Sequence, residues 1–227
     1  MKVLVVTGAS GDIGLEIVKF FYKKKYLVIA LDIKKNKFFL KNNKVDFFKC
    51  NLSNDKSVNK VFKIIEKKYK TIDILINNAG FIYSSPIVKY TNQGLKLHSL
   101  KVWKNVINSN LTSNFLTTSN VVRLMLKNNT KGLIISISSI SAEGNIGQVA
   151  YSAAKGGIES LMKTLSKELS IFGIRSVAIA PGFLDTFSTR NNLNKKKVSE
   201  IIDQTPIKRL GKVKELIQSI NFLIKNK

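Results

Sequence analysis

Cysteine and histidine are nearly absent: the chain has one of each, Cys50 and His98. A single cysteine excludes an internal disulfide and fits a reducing, cytoplasmic setting. With so few soft or imidazole ligands, a Cys/His metal site and a Cys–His nucleophile pair are set aside, and no metal is expected. A Ser–His–Asp triad would have to use His98, which lies in a polar region with no motif around it. Long apolar runs are missing too. The opening run Val3-Leu4-Val5-Val6 is too short for a signal-peptide core and leads into glycines rather than a cleavage site. Nothing approaches the run of about 18 apolar residues that a spanning helix needs, so no membrane partner is expected. Arginine, the usual reader of bases and phosphates, occurs only at Arg123, Arg175, Arg190 and Arg209.

Lysine is what the chain has in excess. Lys and Arg number 38 against 14 acidic residues, a net charge of +24. That balance would suit a nucleic-acid binder, but lysine occurs in nearly every segment, and no zinc-finger or RNP-type pattern is present. The charge is read as solvated surface, and no specific nucleic-acid partner is expected. With 44% hydrophobic and 23% charged residues over 227 positions, the chain can bury a sizeable core and does not resemble a disordered one.

Apolar patterning alternates between strand and helix. Strands are expected at 2–6, 26–31, 44–49, 72–76, 132–137 and 174–180. Helices are expected at 13–24, 55–69, 100–126, 150–172 and 212–224. Several strands are continuous apolar runs, as in a parallel sheet covered on both faces. The expected fold class is α/β, a doubly wound parallel sheet of Rossmann type, with residues 1–227 forming one dinucleotide-binding and catalytic domain. Two long loops, 81–99 and 182–197, are expected at strand ends, where such folds carry their substrate site.

The first strand runs into Thr7-Gly8-Ala9-Ser10-Gly11-Asp12-Ile13-Gly14, and a helix follows. Glycines let the backbone turn tightly beside a pyrophosphate, and the helix N-terminus offers free N–H groups. The second strand ends at Asp32, 18 residues after Gly14. An acid there can accept from the adenosine ribose hydroxyls. Further on, Tyr151 and Lys155 are four apart at the start of a helix and share a face. A Tyr-x-x-x-Lys match alone is weak, since about one is expected by chance in so lysine-rich a chain. Ser138, 13 residues upstream, strengthens it. A phenol is a poor base at neutral pH, an adjacent ammonium favours its anion, and a serine hydroxyl can hold a substrate oxygen during hydride transfer.

These motifs, in this order, resemble the classical short-chain dehydrogenase/reductase family over nearly the whole chain. The match also includes Asn77-Asn78-Ala79-Gly80, Asn110, and Pro181-Gly182 with Thr186. The resemblance implies an NAD-dependent oxidoreductase acting on a small-molecule carbonyl or alcohol. In it Tyr151 exchanges the proton and Lys155 binds the nicotinamide ribose and lowers the tyrosine pKa. Ser138 orients the substrate, and Asn110 holds a relay water. The implied cofactor contacts are Gly8, Ser10, Gly11, Asp12, Ile13, Gly14, Asp32, Asn51, Leu52, Asn78, Ala79, Gly80, Tyr151, Lys155, Pro181, Gly182 and Thr186.

Two departures stand out. The run Cys50-Asn51-Leu52 replaces the family's usual Asp with Asn51, so weaker adenine contact is expected there. Members also continue past the helix at 212–224 into another strand and a Gly-rich tail. The expectation here is a truncated chain or a sheet without its C-terminal edge strand. The runs at 147–151 and 180–182 are similar to those of 3-hydroxyacyl-CoA dehydrogenases and 3-oxoacyl-carrier-protein reductases of the family. A homodimer or homotetramer is expected, through the helices at 100–126 and 150–172. The alternative reading is a catalytically idle dinucleotide-binding sensor or scaffold of the same fold.

Overall fold

In the computed structural model, which describes residues 1–42 and 45–226, strand β1 (Val3–Thr7) is buried along its whole length. Its valines and leucine face both ways, so it can only sit mid-sheet. Helix α1 (Asp12–Lys23) returns the chain to β2 (Leu27–Asp32). The short α2 (Lys37–Lys41), β3 (Asp46–Lys49), α3 (Asp55–Tyr69) and β4 (Ile74–Asn77) follow. The expected third strand began at Lys44, which lies outside the described residues. After β4 come a hairpin of β5 (Val88–Thr91) and β6 (Gly94–Leu97), then α4 (Leu100–Ile107), a π-helical turn at Asn108–Thr112, and α5 (Ser113–Lys127). Strand β7 (Leu133–Ile137), α6 (Val149–Leu169), β8 (Arg175–Ile179), α7 (Phe187–Asn192), α8 (Lys195–Gln204) and α9 (Val213–Lys225) complete the order.

Six strands form one parallel sheet in the order β3-β2-β1-β4-β7-β8. This is a single-domain, doubly wound α/β fold. The chain reverses its direction of winding between β1 and β4, which opens a crevice at their C-terminal ends. Alternation along β1 divides the core. Val3 and Val5 pack with Phe62 and Ile65 of α3, Leu124 of α5 and Ile158 of α6 on one face. Leu4 and Val6 pack with Ile17 and Phe21 of α1 and Ile220 of α9 on the other. Burial of each such side chain stabilises by about 1.5–3 kcal/mol.

Three expectations change. The loop at 81–99 contains the β5–β6 hairpin, and the loop at 182–197 contains α7 and the start of α8. The single helix expected at 100–126 is two helices joined through the π turn, with Asn110 at its centre. Among the described residues, no helix is long and apolar enough to cross a membrane.

Candidate active site

A cleft of about 400 Å³ lies at the C-terminal ends of β1, β4 and β7. Its floor is the turn after β1. Gly8 has φ +62°, and a Cβ there would stand 2.8 Å from the Cα of Ala79; a Cβ on Gly14 would stand 2.1 Å from the carbonyl oxygen of Gly8. Glycine at these two positions is what lets α1 and β4 close on the turn. Gly11 caps α1 with no side-chain bond, so the first N–H groups of the helix are left for another acceptor.

Asp32 joins this turn to the end of β2. Its Oδ2 accepts from the Ser10 N–H at 2.9 Å and its Oδ1 from the Lys34 N–H at 3.1 Å. The Ser10 hydroxyl donates to the Lys34 carbonyl, which ties the turn further. On the other side, Asn78 Nδ2 donates to the carbonyls of Thr7 and Gly8 at 3.1 and 3.2 Å, and the Asn78 and Ala79 N–H groups both donate to Thr7 Oγ1. Asp12 spends one carboxylate oxygen on the Ser188 N–H of α7 at 2.9 Å, and so ties the dinucleotide turn to the segment after β8.

Tyr151 and Lys155 lie one turn apart on α6, both buried. Lys155 Nζ sits 5.4 Å from the centre of the Tyr151 ring and donates to the Ile137 carbonyl at 2.7 Å. Burial pushes its pKa down to about 8. The Tyr151 phenol is pushed up, also by burial, while a hydrogen bond with the Ser139 hydroxyl pulls the other way. For the phenol, desolvation outweighs the Ser139 hydrogen bond.

Two adjacent serines, Ser138 and Ser139, line this part of the cleft. Ser138 reaches the cleft wall, but its hydroxyl donates to Glu159 Oε1 at 2.8 Å and to the Lys155 carbonyl at 3.3 Å. Ser139 is the serine whose hydroxyl favours the Tyr151 phenolate, against the effect of burial. Ser139 is in extended backbone, φ −166° and ψ 153°, so neighbouring side chains point to opposite sides. Its Oγ also accepts from the Ser141 N–H, which starts a short 3₁₀ turn. Ser139 lies 12 residues before the tyrosine and Ser138 lies 13.

Asn110 lies fully buried in the π turn. Its Nδ2 donates to the carbonyls of Phe81 and Val106 at 3.0 Å each, while its Oδ1 has no hydrogen-bond partner among the described residues. A Cβ on Gly80 would come within 2.2 Å of that oxygen, so the glycine makes room for it. π turns of this kind recur at functional sites. Pro181 and Gly182 also line the cleft, as does Thr186, whose Oγ1 caps α7 by accepting from the Thr189 N–H at 3.1 Å.

Of the expected contacts, Gly8, Gly11, Asp12, Ile13, Asp32, Asn78, Ala79, Gly80, Asn110, Ser138, Tyr151, Lys155, Pro181, Gly182 and Thr186 come together around one cleft. Ser10 and Gly14 do not line it: the Ser10 hydroxyl donates to the Lys34 carbonyl, and Gly14 packs on the Gly8 carbonyl. Asn51 and Leu52 do not line it: Asn51 Oδ1 accepts from the Ser53 N–H, and Leu52 is packed into the core. Phe81, Ile82, Ile140 and Phe183 also line the cleft and were not singled out from the sequence.

A family model described as short chain dehydrogenase matches residues 2–197. The chain belongs to the short-chain dehydrogenase family. A 3-oxoacyl-(acyl-carrier-protein) reductase of Buchnera aphidicola subsp. Baizongia pistaciae is 35% identical over 232 residues, 99% of this chain and 90% of that protein. The reductase of the same description from Thermotoga maritima is 34% identical over 230 residues, covering 98% and 89%. Among solved structures of short-chain dehydrogenases, a 4-hydroxyisoleucine dehydrogenase complexed with NADH superposes with a TM-score of 0.90 at 27% identity, covering 100% of this chain and 92% of that one.

Proposed function

We propose that this oxidoreductase moves a hydride between NAD(H) and the carbonyl or secondary alcohol of a small molecule, with Tyr151 as the general acid and base. One observation carries the reading: a buried phenol with a buried ammonium against its ring opens onto the same cleft as two serine hydroxyls and an uncapped glycine turn.

The residues fit a dinucleotide. The turn has no room for side chains at Gly8 and Gly14, the α1 N-terminus is free for a phosphate, and the Asp32 carboxylate ends β2 where a ribose would lie. The bound nicotinamide supplies or takes the hydride. Ser139, rather than Ser138, then orients the substrate oxygen by donating to it. In reduction Tyr151 gives its phenolic proton to that oxygen as the alcohol forms. The Lys155 ammonium steadies the phenolate left behind, because an opposite charge in a dry site acts strongly. Asn110 Oδ1, buried and without a partner, holds a water that returns the proton.

The acid at Asp32 favours NAD(H), since a 2′-phosphate would meet a like charge. Lys34 and Lys35 lie nearby, but exposed lysines offset only about 0–1 kcal/mol. The two reductase relatives support a 3-oxoacyl thioester as the substrate to try first. A homodimer or homotetramer through α4, α5 and α6 is part of the reading, because Phe115 of α5 is 53% exposed. The test is a panel of carbonyl compounds and secondary alcohols, acyl thioesters included, followed by reduced-nicotinamide absorbance. Turnover of at least one member is the expected result. Dinucleotide binding without any turnover would favour the idle sensor or scaffold.

A further inference from the structure

The β5–β6 hairpin has an apolar face left open among the described residues. Its register pairs Val88 with Leu97, Lys89 with Lys96, Tyr90 with Leu95, and Thr91 with Gly94. Side chains alternate across a strand pair, so Val88, Tyr90, Leu95 and Leu97 share one side and the two lysines share the other. The apolar side is open: Tyr90 is 88% exposed, Leu97 72%, Leu95 62% and Val88 39%. Ile87, just before β5, adds a further exposed side chain. An isolated two-stranded hairpin is marginally stable in water, and two lysines placed directly opposite weaken it. The sequence nonetheless keeps four apolar residues in register on one side.

The charge along the sequence on either side of this hairpin has one sign. Between Asp73 and Glu143 the chain contains no carboxylate, while Lys89, Lys96, Lys101 and Lys104 lie on the hairpin and the adjoining α4. We propose that this hairpin is an interfacial anchor that lays its apolar face into the surface of an anionic lipid bilayer. Apolar insertion and attraction of a basic fringe to anionic headgroups are the two parts of such binding. Both are present here, and no acidic residue in the surrounding run opposes them. The lysines on the far side reach headgroup level along their aliphatic stems. A second copy of the chain fits less well, because docking hairpin to hairpin would bring two identical basic fringes together. The hairpin root adjoins the cleft: Ser85 N–H donates to the Gly147 carbonyl, Ser85 bridges to Gln148, and Gln148 lines the cleft with Phe81 and Ile82. Anchoring would therefore bring the mouth of the cleft to the lipid surface, where an apolar substrate concentrates.

The experiment is cosedimentation of the full chain with vesicles of phosphatidylglycerol and phosphatidylcholine in equal parts, and with phosphatidylcholine alone, at physiological salt. Wild type is compared with the triple variant Tyr90→Ser, Leu95→Ser, Leu97→Ser. The expected result is binding to the mixed vesicles that falls at least tenfold in the variant, with cofactor affinity unchanged. Equal binding of both proteins would mean general charge attraction and would overturn the proposal. So would absence of binding, or lipid-free self-association that the variant abolishes. A second measurement needs no variant: mixed vesicles should slow tryptic cleavage after Lys89 and Lys96 at least tenfold, and an unchanged rate would overturn the proposal equally.

Discussion

Replacing Lys155 by Met should stabilise the fold at neutral pH while abolishing turnover. Lys155 is 5% exposed, and burial lowers its pKa from 10.5 to about 8. A shift of that size, at 1.36 kcal/mol per pH unit, corresponds to about 3 kcal/mol of folding free energy lost at pH 7. Met fills a similar volume without the charge. It also removes the donor to the Ile137 carbonyl, which returns about 1–2 kcal/mol as an unsatisfied group. The variant should therefore be more stable by about 1–2 kcal/mol at pH 7. The sign then follows from proton binding. Between pH 8 and 10.5 the unfolded lysine holds its proton and the folded one does not, so wild type gains stability relative to the variant as pH rises. The difference should cross zero within that window. Urea unfolding of both proteins at neutral pH and near pH 10 measures it. A less stable variant at pH 7, or a difference that does not change with pH, would refute the reasoning.

Ser139→Ala should lower kcat/KM about a hundredfold or more, and Ser138→Ala less than tenfold; steady-state kinetics giving the reverse order would restore Ser138 to the substrate. Gly80→Ala should destabilise the fold by about 2–3 kcal/mol, since its Cβ would stand 2.2 Å from Asn110 Oδ1 at φ +154°. An unchanged urea midpoint would show that Asn110 yields freely. Asp32→Ala should shift the ratio of kcat/KM for NAD and NADP at least tenfold toward NADP. A wild type that prefers NADP, or a mutant that shows no shift, would remove Asp32 from cofactor choice.

The parts of the molecule set by short-range periodicity were readable in the sequence. Val58, Val61, Phe62 and Ile65 were picked out at helical spacing and form the buried face of α3. The turn from Thr7 to Gly14 was legible because its glycines answer to backbone geometry alone, and Asp32 because it ends an apolar run. The hairpin was missed for the opposite reason. Its alternation, Val88-Lys89-Tyr90, is that of a half-buried strand, but no core lies behind it and the segment read as loop. The break at Asn110 was invisible because Asn108–Thr112 holds no glycine or proline, so nothing in the residues marks the change to i→i+5 bonding. Spacing from Tyr151 does not separate Ser138 from Ser139, whereas the extended backbone at Ser139 turns the two side chains to opposite sides. The downward shift of Lys155 and the upward shift of Tyr151 could not be read from spacing, since both arise from burial.

Turnover of Tyr151→Phe beside wild type, on the best substrate of the carbonyl panel, bears most directly on the central claim. The substitution keeps the ring against Lys155 and removes only the phenolic hydroxyl. General acid–base help is worth on the order of a hundred- to ten-thousand-fold, so kcat should fall by that factor while the dissociation constant for the dinucleotide stays within about threefold of wild type. More than a tenth of wild-type turnover in the variant would contradict the assignment of Tyr151 as the proton donor.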